Sequence, residues 1–241
     1  MIEPLVSVVM PVYNGIQFIK ESVQSILTQT LQDFELIIYD DGSTDGTQDY
    51  LKTLRESRVR VYFGDYHQNC PAARNFLLEK VLGKYVAHQD ADDMAFPIRL
   101  ESQLEFLRNN KNLVFTCCSN QVMHSKKVFK FETDPEQAPI KQYKLQKVFA
   151  GNTSFYSREV VDAGVRYDLT LEYGSDVLYE VEIQARFPFK MQAMDEVLVL
   201  YRKHENAITV RRRRVIISSH IMEKRNALIK ELLYPIVKGK V

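Results

Sequence analysis

The stretch "GKYVAHQDADD" (83–93) decides the fold. Its middle, "KYVAHQ" (84–89), has the length and apolar content of a short buried strand. It runs straight into the carboxylates Asp90, Asp92 and Asp93. The same pattern recurs upstream. "VSVVM" (6–10), "FELIIY" (34–39) and "RVRVYF" (58–63) are strand-length runs, and each is followed by a segment of helical periodicity. Ile16, Ile19, Val23, Ile26 and Leu27 follow the turn "PVYNG", with Asn14 as the expected helix cap. Tyr50, Leu51 and Leu54 follow "DDGSTDGT", where Asp45 and Gln48 have capping-box spacing. Ala72, Ala73, Phe76 and Leu77 follow Pro71, which suits a first helical position. Buried strands alternating with helices predict an α/β fold, with a Rossmann-like, mostly parallel central sheet and helices on both faces. Ligands of such sheets bind at the carboxyl ends of the strands. Asp40-Asp41 and the acids of 90–93 stand at two of those ends.

The second half is less regular. Pro97 is expected to begin a helix reaching about Asn109. "LVFTCC" (113–118) reads as a strand, "KKVFKF" (126–131) as half of a hairpin and "NTSFY" (152–156) as a strand. Ser157 is expected to cap a short helix ending at Gly164. Asp176 opens a helix to about Phe187, and "VLVLYR" (197–202) closes the sheet. From Val210 the chain reads as one basic amphipathic helix. The expected division is a nucleotide-sugar-binding half over 1–105, an acceptor-binding half over 106–209 and a C-terminal helical tail over 210–241.

Composition narrows the function classes. With 45% hydrophobic and 26% charged residues, the 241-residue chain has an ordinary globular balance, which excludes a disordered chain. A net charge of +1 gives no electrostatic case for nucleic acid. Cys70, Cys117 and Cys118 cannot all pair and have no zinc-ligand spacing, so a reduced, cytoplasmic chain is expected. The start at Met1-Ile2-Glu3-Pro4 lacks a signal pattern. No apolar run approaches the roughly 18 residues that cross a bilayer.

Three carboxylates at one strand end repel one another unless a cation lies among them. Hard divalent cations prefer oxygen ligands, and Mg²⁺ takes one or two protein carboxylates plus substrate phosphates. In an extended chain Asp90 and Asp92 point the same way. The plain alternative is a solvated turn with a helix cap. A helix-loop-helix calcium site fails at both acidic loops. Met94 and Ala95 stand where a ligand and a glycine are required after Asp90. Lys52 stands where the loop at Asp41, Ser43, Asp45 and Gly46 needs its closing glutamate. The dinucleotide fingerprint and the Walker loop are both missing, so phosphate is not held mainly by a glycine-rich cradle. His67, His88, His124 and His220 show no ligand spacing and read as surface or core residues. His88 alone lies beside the acidic loop.

"VSVVMPVYNG", "SILTQTLQDFELIIYDDGSTDGT", "AARN", "GKYVAHQDADD" and "PIRL" occur in the order and spacing of glycosyltransferase family 2. The N-terminal half resembles that family's GT-A nucleotide-binding region. "YGSDVLYEVEI" and "YRKHENAIT" extend the resemblance more thinly, over about residues 4–210. The resemblance implies an inverting, non-processive transferase that moves a sugar, of the hexosyl or N-acetylhexosaminyl class, from a nucleotide diphosphate donor. The donor is expected to be a UDP-sugar, used with Mg²⁺ or Mn²⁺, and the acceptor a hydroxyl of a glycan or lipid-linked molecule. Pro11, Val12 and Tyr13 resemble the nucleoside loop, with Tyr13 against the base. Asp41 resembles the carboxylate that accepts from the pyrimidine N3–H, and Arg74 a basic residue near the donor. Asp90 and Asp92 resemble the D-x-D signature, with Asp92 nearest the metal. His204 resembles a late residue at the metal and phosphates, where Arg202 would assist. Asp176 resembles the general base, and Tyr173 near it is placed to pack on a sugar.

The match has departures. Gly15 stands where an acidic residue is common and Ser175 where glutamate is common. The Q-x-x-R-W pattern of processive synthases is missing from a chain with no tryptophan, and "RRRR" (211–214) does not replace it. A nucleotidyltransferase or a non-catalytic sugar-nucleotide-binding protein are the rival readings. The first wants a glycine-rich basic loop after the first strand, and the second the loss of Asp92 or Asp176. The tail has two open readings. Arg211 to Arg214 ahead of Ile217, Ile221, Leu228 and Leu232 suit peripheral contact with the inner face of a membrane, or a helix packed on the enzyme's own core.

Overall fold

A computed structural model describes residues 3–124, 151–171 and 174–207. Eight strands form one sheet: β1 (Val6–Val12), β2 (Phe34–Asp40), β3 (Val59–Phe63), β4 (Tyr85–His88), β5 (Met94–Ala95), β6 (Phe115–His124), β7 (Ser154–Ser157) and β8 (Met191–Lys203). The helices are α1 (Ile19–Leu27), α2 (Thr47–Thr53), α3 (Cys70–Leu78), α4 (Arg99–Asn109), α5 (Glu159–Asp162) and α6 (Ser175–Arg186). The strand order is β3-β2-β1-β4-β7-β6-β8-β5. The first four strands in that order are parallel. Beyond them β7 runs antiparallel to both β4 and β6, and β8 lies parallel to β6.

Strand periodicity divides the core into two layers. Val6, Val8, Met10 and Val12 of β1, with Leu36 and Ile38 of β2, pack under Ile19, Val23 and Ile26 of α1 and Leu100, Leu104 and Leu107 of α4. Val9 and Ile37, pointing the other way, pack against Ala73 and Leu77 of α3, Val160 of α5, and Tyr179 and Ile183 of α6. The buried Glu35 of β2 is fully engaged. It accepts from the Ser7 hydroxyl at 2.6 Å, from Arg60 at 2.6 Å and from the Leu82 amide at 2.9 Å.

Several local expectations change. Asn14 caps no helix. It adopts φ +49°, and α1 starts later, behind Phe18. No capping box forms at α2: Asp45 accepts from the Thr47 amide at 3.0 Å, while Gln48 turns back to Asp40 at 2.9 Å. Pro71 is the second residue of α3, and Asn69 is its cap, accepting from the Ala72 amide at 2.9 Å. The strands expected at 113–118 and 197–202 are the apolar parts of the longer β6 and β8. Their polar parts pair across a register shift between Cys117 and Asn120. The hairpin half at 126–131, Tyr173 and the tail from Val210 lie outside the described residues.

Arg99 joins the acidic loop to the second half of the chain. Its side chain is fully buried. It donates to the Gln89 side chain at 2.7 Å, the His88 carbonyl at 2.6 Å, the Asn152 carbonyl at 3.0 Å and Gln103 at 3.1 Å. Arg99→Leu would leave these acceptors buried and unpaired. Urea unfolding should show a loss of about 3–5 kcal/mol; an unchanged midpoint would remove this role.

Candidate functional site

The carboxyl ends of β1, β2 and β4 open into one cleft of ≈ 770 Å³, a size suited to a nucleotide. Pro11, Val12, Tyr13, Asp41, Arg74, Asp90, Asp92 and His204 all line it. The loop after β1 is stitched to the loop after β2. Ser43 and Thr47 hydroxyls accept from the Asn14 and Gly15 amides at 2.7 and 2.9 Å, Asp45 accepts from the Ile16 amide at 3.1 Å, and the Thr44 amide donates to Asn14 at 2.8 Å. Asn14 thus serves as a latch between loops, and its left-handed backbone is one that asparagine tolerates.

At one end lie Tyr13 and Asp41. Asp41 is buried and accepts from the Gln68 amide at 3.1 Å and from His67 Nδ1 at 2.8 Å. Burial pushes its carboxyl above the ordinary range, against the pull of these donors. The His67 ring stacks on Tyr13 with centroids 3.8 Å apart. His67 thus belongs to the cleft and is no bystander on the surface. Its only sequence signal is a place just ahead of the helix that carries Arg74.

At the other end are the acids. The 90–93 segment is a turn rather than an extended chain, closed by the Asp93 amide donating to the Asp90 carbonyl at 3.2 Å. The turn still brings Asp90, Asp92 and Asp93 together, with ligand-capable oxygens within 4.8 Å of one another. Asp93 is fully buried and committed. It accepts from the Arg202 amide at 2.8 Å and from the Asn152 side chain. Asp90 and Asp92 are half-buried and face the cleft. Asp90 pairs with Arg74 at 3.1 Å, and Asp92 with His204 Nε2 at 2.9 Å. Burial raises the Asp90 carboxyl, Arg74 lowers it and Asp92 raises it again, leaving it above the ordinary range. Hard oxygen donors under mutual repulsion fit a divalent cation. Asp90 and Asp92 would hold it, with His204 beside them.

Arg74 is nearly buried and lies over the Tyr167 ring at 5.3 Å, with its Nε unpaired. Burial opposes its charge, yet Cys70, Tyr167, Asp90 and Asp176 around it keep the guanidinium well above its usual range. Asp176 does not line the cleft itself but stands next to Arg74, in the first turn of α6 behind Gly174 (φ +74°). Gly151 makes this approach possible. A Cβ there would lie 3.1 Å from Asp176 Cβ and 3.6 Å from Arg74 Nη1. One turn on, Glu180 is pushed up to about 9 by burial and by the charge of Asp176.

Arg202 and His88 are both buried behind the acids. Arg202 is not among the residues that line the cleft: it bonds Glu21 and the Asp92 carbonyl (2.9 Å) and lies over Phe18 at 4.7 Å. It braces the acidic loop from behind. His88 is a core residue, 2.7 Å from the Tyr156 hydroxyl, and burial, Arg74 and Arg99 keep it well below the ordinary histidine range.

The model of glycosyl transferase family 2 matches residues 7–161. The chain belongs to this family. An uncharacterized glycosyltransferase of Haemophilus influenzae is 40% identical over 115 residues, 47% of this chain and 46% of its own length. The matched stretch makes up between 17% and 46% of the length of the first curated relatives. S. aureus TarS, solved in complex with UDP-GlcNAc, superposes over 95% of this chain and 67% of that one, with TM-score 0.74 at 18% identity. The mannosyltransferase PcManGT from Pyrobaculum calidifontis, solved with GDP-Man and Mn²⁺, covers 88% of this chain and 61% of that one, with TM-score 0.67 at 16% identity. These likenesses show a shared GT-A fold. This family 2 glycosyltransferase therefore places its cleft at the strand ends where the acids cluster. Among the described residues, no helix is long and apolar enough to cross a membrane.

Proposed function

We propose that the chain is an inverting, metal-dependent transferase that moves a hexosyl or N-acetylhexosaminyl group from a UDP-sugar to a hydroxyl of a glycan or lipid-linked acceptor. One arrangement carries the proposal: Arg74, Asp90 and Asp92 stand at one end of the cleft, with Asp176 beside Arg74. Tyr13 and Asp41 take the uracil, by stacking and by accepting from its N3–H. Arg74 meets the diphosphate. A divalent cation, when bound, neutralises the departing diphosphate as a Lewis acid. Asp176 takes the proton of the acceptor hydroxyl. Attack from the face opposite the leaving group inverts the anomeric carbon. The UDP-GlcNAc and GDP-Man complexes of TarS and PcManGT support a nucleotide-sugar donor. The halves 1–105 and 106–209 serve donor and acceptor, and the segment from 210 makes peripheral contact with a membrane.

Incubation with a panel of nucleotide sugars and Mn²⁺, following released nucleotide and the anomeric product by NMR, tests this reading. Release of nucleotide from none of them overturns it. Asp41 also sets a preference. Cytosine has no N3–H, so a CDP complex leaves the buried carboxylate without that donor. UDP should bind tighter than CDP by about 1–3 kcal/mol. Equal inhibition by the two would remove the assignment of Asp41.

A further inference from the structure

The base end of the cleft is filled by the chain itself. The His67 imidazole lies on the Tyr13 ring at 3.8 Å, with the planes 15° apart, and its Nδ1 is 2.8 Å from Asp41 Oδ2. A flat ring that stacks on Tyr13 and donates an N–H to Asp41 makes both contacts assigned above to uracil. The two rings cannot be there together. A third ring between Tyr13 and His67 would need about twice the ordinary stacking separation, and the His67 N–H holds the position on Asp41 assigned above to the uracil N3–H.

The loop that presents His67 is built into the wall of the site. The Gly64 amide donates to the Asp40 carbonyl at 2.8 Å, and the Gln68 amide donates to Asp41 at 3.1 Å. Gly42, at φ +78°, lets this loop come close. A Cβ there would lie 2.7 Å from the Tyr66 carbonyl carbon and 2.8 Å from the His67 nitrogen. The backbone is therefore fixed, while the His67 side chain keeps 46% of its surface in solvent. It can rotate outward without opening the core.

We propose that His67 is a nucleobase surrogate, which closes the base subsite of the free enzyme and swings out when the donor enters. This rests on the reading of Tyr13 and Asp41 as the base subsite. The consequence is a competition. Only the fraction of molecules with the ring displaced binds nucleotide, and the apparent Kd is the intrinsic one divided by that fraction. The weakening is the same for every ligand that needs the subsite, and nil for a ligand that stops at the diphosphate. A residue that contacts the base behaves oppositely: its loss weakens binding, by an amount that depends on the base.

Calorimetry separates the two, using the full chain and His67→Ala, with UDP, CDP and inorganic pyrophosphate, each with Mg²⁺. Removing the ring should tighten UDP and CDP by the same factor, on the order of fivefold for one stacked, hydrogen-bonded ring. Pyrophosphate affinity should not change. His67→Phe keeps the stack without the bond to Asp41, and should fall between the other two proteins. Unchanged or weaker UDP binding in His67→Ala, or a change in the UDP-to-CDP ratio, overturns the surrogate role and leaves the base subsite standing. If UDP and CDP bind no better than pyrophosphate in either protein, the base subsite itself is wrong, and the surrogate role falls with it. His67→Ala takes a donor from the buried Asp41, so its melting curve is recorded beside the titrations, and His67→Ser provides a second small variant under the same criteria.

Discussion

Asp176→Asn should lower sugar transfer by about 10²–10⁴-fold, the usual contribution of a general base, and leave UDP affinity near that of wild type. The acceptor hydroxyl becomes a useful nucleophile only as its proton leaves. Asparagine keeps the shape of the side chain but cannot take that proton. Asp176 lies in the first turn of α6, near the Arg74 guanidinium. The competing account makes Asp176 part of the helix start only. Loss of such a terminal interaction costs about 1 kcal/mol and leaves most activity. Transfer kinetics and a melting curve on the same variant decide between the two. A folded Asp176→Asn enzyme with near-normal turnover would end its candidacy as the base.

The second large effect is expected at Asp92. Chelation of divalent cations, or Asp92→Asn, should each reduce transfer by about 10²–10³-fold, since metal stabilisation of a departing diphosphate amounts to several kcal/mol. Unlike the change at Asp176, this one should weaken UDP binding as well, because the diphosphate meets the cation already in the ground state. His204→Ala should fall short of it, at about 10–100-fold, if the histidine mainly orients Asp92 across their 2.9 Å contact. Calorimetric titration of UDP with Mn²⁺ and with chelator gives a direct check. Equal affinities in the two conditions would rule out Asp92 as a metal ligand.

The parts of this fold legible in the sequence are those where burial is uniform. β2 is buried at all of its positions and β1 at nearly all, so their apolar runs read plainly as inner strands. β8 does not read that way, because Asp195 and Glu196 are exposed while Leu198, Val199 and Leu200 are buried. Only its second part looks like a strand. β6 is hidden differently, because its apolar run is broken by Ser119, Asn120 and Gln121, of which the first two are buried polar residues. The acids of the cleft were visible as a cluster, but their division of labour was not. Asp93 differs from Asp92 through two donors, from Arg202 and Asn152, which are remote in sequence. The contact of His67 with Tyr13 likewise joins two loops whose proximity depends on Gly42. Pairings of this kind arise from the folded chain and leave no periodic trace.

The acidic loop is completed by residues from the far end of the described chain. The Arg202 amide holds Asp93 and His204 holds Asp92, across separations of 109 and 112 residues. Contacts of such high contact order form late, because loop closure must precede them. A nascent chain still lacking β8 would therefore have the strands of the cleft but not the brace of its acids. On the proposed reading, cation affinity should appear only when β8 docks, as a late marker of folding.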